Sequence, residues 1–435
     1  MTVAEVRLWG TRIGAVRWTD GVASFAYTPE FLASKIELAP ITMPLNSSTY
    51  SFPALDPGTF HGLPGILADS LPDKYGTALI DAWLTRAGRT GFNPVDRLCY
   101  IGKRSMGALE YEPAVDEGRD RHAAQIDLGQ LLDLANAATA GKEALRAKLS
   151  ESDDDHEPIS DILSVGTSAG GARAKAVVAW NPETGELRSG QTTIADGFGH
   201  WLMKFDGITD NVDKETADPQ GFGRIEFAYH LMAVEAGIEM TECRLYEENE
   251  RAHFMTRRFD RTVDDKLHAV TLCGLAHLDF NQAGAHSYEQ AVSTAKTIRC
   301  GKADIAELYR RTVFNIVARN QDDHTKNIGF LMNRRGHWSL SPAYDVSYAY
   351  NPDGAWTSQH QMTVKGKRDG FAIGDLHAFG DYSGIKRSSQ DDIIDQVIDA
   401  VSHWTTHAEA AHVEDRFISV IGQAHRQLPR GVQAK

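Results

Sequence analysis

Apolar positions in this chain follow strand spacing in two stretches and helical spacing towards its end. Val6 to Trp9 and Ile13 to Trp18 predict short strands, a Pro- and Gly-rich stretch follows, and a helix is predicted from about Lys74 to Arg89 behind Leu71-Pro72-Asp73. Ser105 to Tyr111 reads as a closing strand. A helix around Ile126 to Ala137 leads to the acidic run Glu151 to Pro158, which reads as a solvated linker in preference to a metal site. Strand spacing then returns in Ala176 to Trp180, a turn at Asn181 to Gly185, and His200 to Phe205, whose Lys204 points inward. A helix from about Arg224 to Ala236 carries Glu226, and strands around Cys243 to Glu247 and His253 to Thr256 run into Arg257-Arg258-Phe259-Asp260-Arg261.

From about residue 266 onward the pattern is mostly helical. Ile305, Leu308, Tyr309, Thr312, Val313, Ile316 and Val317 mark one amphipathic helix. Behind it, Ile328 to Met332, a turn at Asn333 to Gly336, and His337 to Leu340 predict a hairpin. Asp391 to Val401 and Ala408 to Leu428 read as packed amphipathic helices with no chemistry of their own.

At 435 residues the chain is too long for one ordinary core, and two to three domains are expected. A hydrophobic share of 42% and a charged share of 24% are those of a globular protein and exclude a disordered or fibrous class. The formal charge of −14 argues against holding nucleic acid by bulk electrostatics, so DNA contact is expected only through a partner. Cys99, Cys243, Cys273 and Cys300 lie far apart without metal-site spacing and read as buried free thiols. The first residues lack the basic and apolar regions of a secretory signal, and no run reaches membrane-spanning length, so a cytoplasmic protein with no membrane partner is expected.

The chemistry concentrates between the helix and the hairpin, in Asn320-Gln321-Asp322-Asp323-His324-Thr325-Lys326-Asn327, with Ser341-Pro342-Ala343-Tyr344-Asp345 beyond the hairpin. Phosphoryl transfer needs one carboxylate to take the acceptor hydroxyl proton, and an amide oxygen plus a second carboxylate to hold Mg²⁺ against the ATP phosphates. Asp322 and Asn327 have the base-to-amide spacing of a kinase catalytic loop, and Asp345 supplies the second carboxylate. Taken alone, the same residues also suit a solvated turn. Upstream, Gly166-Thr167-Ser168-Ala169-Gly170-Gly171-Ala172-Arg173-Ala174-Lys175 is glycine-dense enough for backbone amides to approach phosphates, and it lacks the ending of a Walker loop. The order glycine loop, Lys204 strand, Glu226 helix, two strands and hinge is that of a kinase N-lobe, although Lys204 alone would pass for a surface lysine and Glu226 for a capping or exposed carboxylate.

With these blocks assembled, the sequence resembles the HipA family of bacterial serine/threonine kinase toxins over essentially its whole length. Further blocks carrying the resemblance are Gly62-Leu63-Pro64-Gly65-Ile66-Leu67-Ala68-Asp69-Ser70-Leu71-Pro72-Asp73 and Ile101-Gly102-Lys103-Arg104-Ser105-Met106-Gly107-Ala108. The resemblance implies an α+β fold: a small N-terminal α/β subdomain plus a protein-kinase-like bilobal fold with a mostly helical C-lobe. Its expected division is an N-terminal subdomain over 1–113, a helical and acidic linker over 114–157, the N-lobe with glycine loop and hinge over 158–265, and the C-lobe over 266–435.

By the same resemblance Asp322 matches the catalytic base, Asn327 and Asp345 the Mg²⁺ ligands, and Lys204 the lysine that contacts the ATP phosphates. Gly170, Gly171, Ala172, Lys175 and Tyr344 fall in the cofactor-binding blocks, and Arg257 and Phe259 at hinge positions whose backbone would meet adenine. Ser168 aligns with an autophosphorylated serine, and neighbouring Thr167 is an equal chemical candidate. His324 is expected to orient the loop, with contact to metal or phosphate as the alternative, since Mg²⁺ prefers oxygen. Asp323 stands where some members carry Gly. The implied partners are a HipB-like DNA-binding antitoxin and a translation-related protein substrate of the aminoacyl-tRNA synthetase type. Two other readings stay open: a small-molecule kinase of the aminoglycoside phosphotransferase type, and a non-catalytic pseudokinase that only binds.

Overall fold

The computed structural model describes residues 2–72, 76–77, 79–81, 91–113, 128–140, 174–190, 194–207, 220–262 and 265–428. The chain divides into two compact units: Met1–Ala39, Met43–Gly223 and Glu242–Ala269 form the first, and Pro40–Thr42, Arg224–Thr241 and Val270–Lys435 the second.

The first unit holds two antiparallel sheets of five strands. One runs in the order Thr49–Ser51, Val22–Tyr27, Thr11–Thr19, Thr2–Leu8, Leu109–Glu112. Period-two alternation puts Ala4, Val6 and Leu8, with Ala23, Phe25 and Tyr27, on a buried face. The helix Pro94–Ile101 packs there, started by a capping box between Asn93 and Asp96 with Pro94 in its first turn. The closing strand begins at Leu109, later than the apolar pattern predicts. Residues before it are held elsewhere: Arg261 donates to Ser105 O at 2.9 Å and Gly107 O at 3.0 Å, and Gly107 N–H donates to Asp260 at 2.6 Å. Gly107 has φ +77°, and a Cβ there would stand 2.6 Å from Ala269 N, so only glycine fits.

The other sheet has the order Leu187–Ser189, Lys175–Trp180, Gly199–Lys204, Arg251–Arg257, Cys243–Glu248. The helix Leu128–Ala140 lays Leu128, Leu132 and Ala135 into one core with Ala176, Val178, Trp201, Met203 and Met255. Their helical spacing explains the placement: a helix with such a stripe is stabilised by burying it, so it belongs to the sheet's core. Just past the central strand Gly199–Lys204, the buried carboxylate of Asp206 accepts from Gly221 N at 3.0 Å and Gly223 N at 3.4 Å, anchoring the start of the helix Phe222–Glu235. A Cβ on Gly223 would lie 2.0 Å from Ala252 O.

The second unit is mostly helical. Lys302–Val317 is its central helix, buried along Ile305, Leu308, Tyr309, Val313 and Phe314, with Tyr288–Thr297, Ile373–Ser383 and Arg387–Ser402 packed around it. The predicted hairpin is present as Gly329–Met332 and Trp338–Leu340. The predicted long helix over 408–428 is broken in two, Trp404–Ala410 and Asp415–Ala424, because His412 turns left-handed at φ +56°. Cys99, Cys243 and Cys273 are buried free thiols and Cys300 is partly exposed. Among the described residues no helix is long and apolar enough to cross a membrane.

Candidate functional site

The loop that carries Asp322 is set up by the end of the central helix. Lys302–Val317 stops at Ala318, whose carbonyl accepts from Tyr229 at 2.6 Å, and Arg319 reverses the chain at φ +57°. Gln321 N–H then donates to Ala349 O and Ala349 N–H to Arg319 O, at 3.3 and 3.1 Å, so the loop runs beside the segment that follows Asp345. Thr325 donates to Leu278 O at 2.7 Å and opens a single 3₁₀ turn ending at Asn327.

Within this loop the adjacent carboxylates have opposite surroundings. The Asp322 side chain is 45% exposed; its Oδ1 accepts from the Trp356 indole at 2.7 Å, with His324 Nε2 at 3.9 Å. Asn327 donates through Nδ2 to the Asp322 carbonyl at 2.7 Å, which turns its Oδ1 away as the end of the amide that can face a cation. Asp323 is buried, accepting from Tyr288 at 2.7 Å, His360 Nδ1 at 2.8 Å and Gln361 N–H at 2.7 Å. Burial pushes its carboxyl up, yet His360, Tyr288 and the Gln361 amide together outweigh burial and hold it below the ordinary carboxylate range. Asp323 is therefore the loop's internal anchor and Asp322 its chemically available carboxylate.

Asp345 sits in left-handed backbone at φ +53°, a conformation that costs a non-glycine residue and is kept where surroundings enforce it. The residues just before it are tied down: Ala343 N–H donates to Glu239 O at 2.8 Å, Ser341 N–H to Gly329 O at 2.9 Å, and Tyr344 OH to Lys326 O at 2.7 Å. Gly329 allows this approach, since a Cβ would stand 2.8 Å from Ser341 Oγ. A small cavity of about 30 Å³, lined by Asp323, His324, Asn327, Tyr344, Arg311 and Asn315 among others, lies behind the loop with room for about two waters. His324 also packs edge-on against Phe280, with ring centres 5.3 Å apart.

In the first unit the structure brings together two lysines that the sequence keeps apart. Lys175 and Lys204 are register partners on neighbouring strands and are 2% and 6% exposed, with Lys204 Nζ 5.6 Å from the Phe254 ring centre. Like charges placed opposite each other on a sheet repel. Glu226 is buried as well. At the hinge, Arg257 N–H is committed to Glu242 O at 2.8 Å and Arg258 N–H to His200 O at 2.9 Å. Next to it, the buried Asp260 carboxyl is pushed up by burial and pulled far below its ordinary range by Arg258, Arg261 and the Gly107 amide. Thr167, Ser168, Gly170, Gly171 and Ala172 lie outside the described residues.

Sequence reasoning missed Trp356, Tyr288, His360, Gln361 and Arg426, which all reach the loop's residues. Nothing in their spacing marks them, since they reach the loop from three separate stretches, Tyr288 from a helix, Trp356 to Gln361 from the segment before Met362, and Arg426 from the chain beyond the last described helix.

The antiparallel sheet with paired lysines, and a helical unit presenting an Asp-to-Asn loop and a left-handed Asp, define an α+β protein of the kinase-like bilobal class. Family models match it twice: the HipA N-terminal domain over residues 4–112 and the HipA-like C-terminal domain over 167–405. The chain belongs to the HipA family. It superposes on a chain of the Shewanella oneidensis MR-1 toxin–antitoxin complex of HipA, HipB and operator DNA, with a TM-score of 0.66 over 97% of this chain and 95% of that one. At 17% identity this likeness is one of fold. A kinase-named protein of Sinorhizobium fredii, Y4dM, is 26% identical over 179 residues, which span 36% of this chain and 39% of the relative.

Proposed function

We propose that the protein is a Mg-ATP-dependent serine/threonine protein kinase and the toxin of a HipA/HipB-like pair. The observation that carries this reading is the division of labour between the two aspartates: Asp323 is locked inside while Asp322 is held by one indole N–H with its carboxylate still open to solvent.

Mg-bound ATP supplies the γ-phosphoryl group. Asp322 orients the acceptor hydroxyl and takes its proton. Asn327 Oδ1 and the Asp345 carboxylate are hard oxygen donors suited to Mg²⁺. Mg²⁺ usually keeps several waters and phosphate oxygens in its shell, so two protein oxygens are enough to place it. Lys175 and Lys204 neutralise phosphate charge, and Ser168, Thr167 or both are the autophosphorylation sites of the glycine loop. His324 orients the loop. Tyr344 lines the cavity beside Asn327, and Arg257 and Phe259 border the adenine through backbone. The acceptor is a translation-related protein of the aminoacyl-tRNA synthetase type. A basic, DNA-binding HipB-like antitoxin suits a chain of charge −14 and is its route to DNA.

The test is intact and peptide mass spectrometry of the protein incubated with Mg-ATP, beside Asp322→Ala prepared identically. Phosphate on Ser168 or Thr167 in the wild type alone supports the reading. ATP binding without phosphate on either protein refutes the autophosphorylation and shifts weight to a small-molecule acceptor or a pseudokinase.

A further inference from the structure

Arg426 follows the last described helix, in a stretch that the sequence marks as without chemistry, yet it is one of the most heavily bonded side chains in the second unit. Its backbone N–H donates to Val317 O at 2.9 Å, and its Nη1 to Ile316 O at 2.7 Å. Those carbonyls belong to the last turn of Lys302–Val317, where helix geometry leaves them without partners. Nη1 also meets His360 Nε2 at 2.7 Å, while Nη2 donates to Gln321 Oε1 at 3.0 Å and Asp369 Oδ1 at 2.6 Å. The side chain is 7% exposed and lies over the Phe371 ring.

A guanidinium has donors only. His360 Nε2 must therefore accept, its proton sits on Nδ1, and Nδ1 is aimed at Asp323 Oδ2 at 2.8 Å. Gln321 and Asp323 are the two sequence neighbours of Asp322. One guanidinium thus grips both, Gln321 directly and Asp323 through an imidazole whose tautomer it dictates. The same group is pinned to the helix that delivers the loop, so helix end and loop are fixed to one rigid, planar support.

We propose that Arg426 is a positioning residue for Asp322, acting through His360–Asp323 and Gln321. This rests on reading the loop as a phosphotransferase site. The experiment measures transfer from γ-labelled Mg-ATP into the protein itself, with hydrogen exchange over residues 320–327 in parallel. Arg426→Ala is expected to lower kcat about 10–100-fold, as loss of an orienting partner does, while KM for ATP stays within about twofold. Arg426→Lys, which keeps the charge and donors on a single nitrogen but not the planar fork, is expected to recover part of the rate. His360→Asn replaces the Nδ1 donor but offers nothing at Nε2, so it cuts the same connection with the guanidinium in place. It is expected to lose part of that factor, since Gln321 stays held, and the double variant no more than Arg426→Ala alone.

Wild-type kcat in Arg426→Ala, or losses that multiply in the double variant, overturns the proposal. A wild type that transfers no phosphate refutes the functional reading instead, and exchange then decides: faster exchange over 320–327 in Arg426→Ala supports the grip, and unchanged exchange overturns it.

Discussion

Neutralising Asp322 and Asp323 one at a time should give opposite phenotypes from adjacent residues. In Asp323→Asn the side chain keeps its size, but three donors converge on it: Tyr288 and His360 on Oδ2 and Gln361 N–H on Oδ1. If the new amide points its oxygen at Tyr288 and His360, its NH₂ faces the Gln361 N–H. If it flips, the NH₂ faces His360 Nδ1–H, and His360 cannot move that proton to Nε2 because Arg426 donates there. Either way a buried donor meets a donor. An unsatisfied buried donor costs about 1–3 kcal/mol and each lost charge-assisted bond about 1.5–3 kcal/mol, so a total of about 3–5 kcal/mol is expected, in the range for breaking a buried charge network. For a unit of this size that lowers Tm by about 6–20 °C.

Asp322→Asn loses one indole contact on a half-exposed side chain, which water replaces, so stability should shift by no more than about 0.5 kcal/mol. Transfer should nevertheless fall about 10²–10⁴-fold with loss of the base. Calorimetry or thermal circular dichroism with the phosphotransfer assay reads both axes. An Asp323→Asn protein melting within about 1 °C of wild type, or an Asp322→Asn protein that melts early, would refute the reasoning.

Trp356→Phe removes the N–H that holds Asp322 Oδ1 together with part of the indole ring; kcat should fall about tenfold, equivalent to about 1.4 kcal/mol of lost positioning, with KM for ATP unchanged, and steady-state kinetics showing an unchanged kcat would contradict it. Asp260→Asn leaves Arg258 and Arg261 buried without their counter-charge and should destabilise by about 3–5 kcal/mol, seen as an earlier thermal transition; an unshifted transition would mean the cluster carries no stability. Burial holds His230, His253, His277 and His425 neutral down to about 4 and His268 down to about 3. His200 is likewise held to about 4, by burial and by the Arg258 charge. The unfolded chain binds those protons near pH 6.5, so stability should be complete above about pH 6.5 and fall as pH drops towards 4. Urea midpoints that stay flat between pH 7 and 4 would show that these imidazoles do not control acid stability.

Local pattern was enough for much of the architecture. Short apolar runs gave the strands at Thr11–Thr19 and Lys175–Trp180, helical spacing gave Lys302–Val317, and turn residues gave the hairpin after Asn327, since each signal depends on residues a few positions apart; the first strand, expected at Val6 to Trp9, lies earlier, at Thr2–Leu8. The Asp322-to-Asn327 spacing was legible for the same reason: both belong to one loop, and one bond from the Asn327 amide to the Asp322 carbonyl closes it. Where local pattern failed, a distant contact had won. The strand ending at Glu112 starts late because Arg261 and Asp260 claim Ser105 and Gly107, and the helix before His412 ends at a left-handed turn.

Only the tertiary structure could assign unlike roles to Asp322 and Asp323, because identical side chains differ in what surrounds them: Tyr288, His360 and Gln361 for one, Trp356 and solvent for the other. Only it could set Lys175 against Lys204, or carry Arg426 to the end of a helix 109 positions earlier. Sequence determines which groups exist and how the nearest are spaced. Burial, charge and hydrogen-bond partners arise from packing between segments far apart in the chain, and those decide which carboxylate is an anchor and which stays open to solvent.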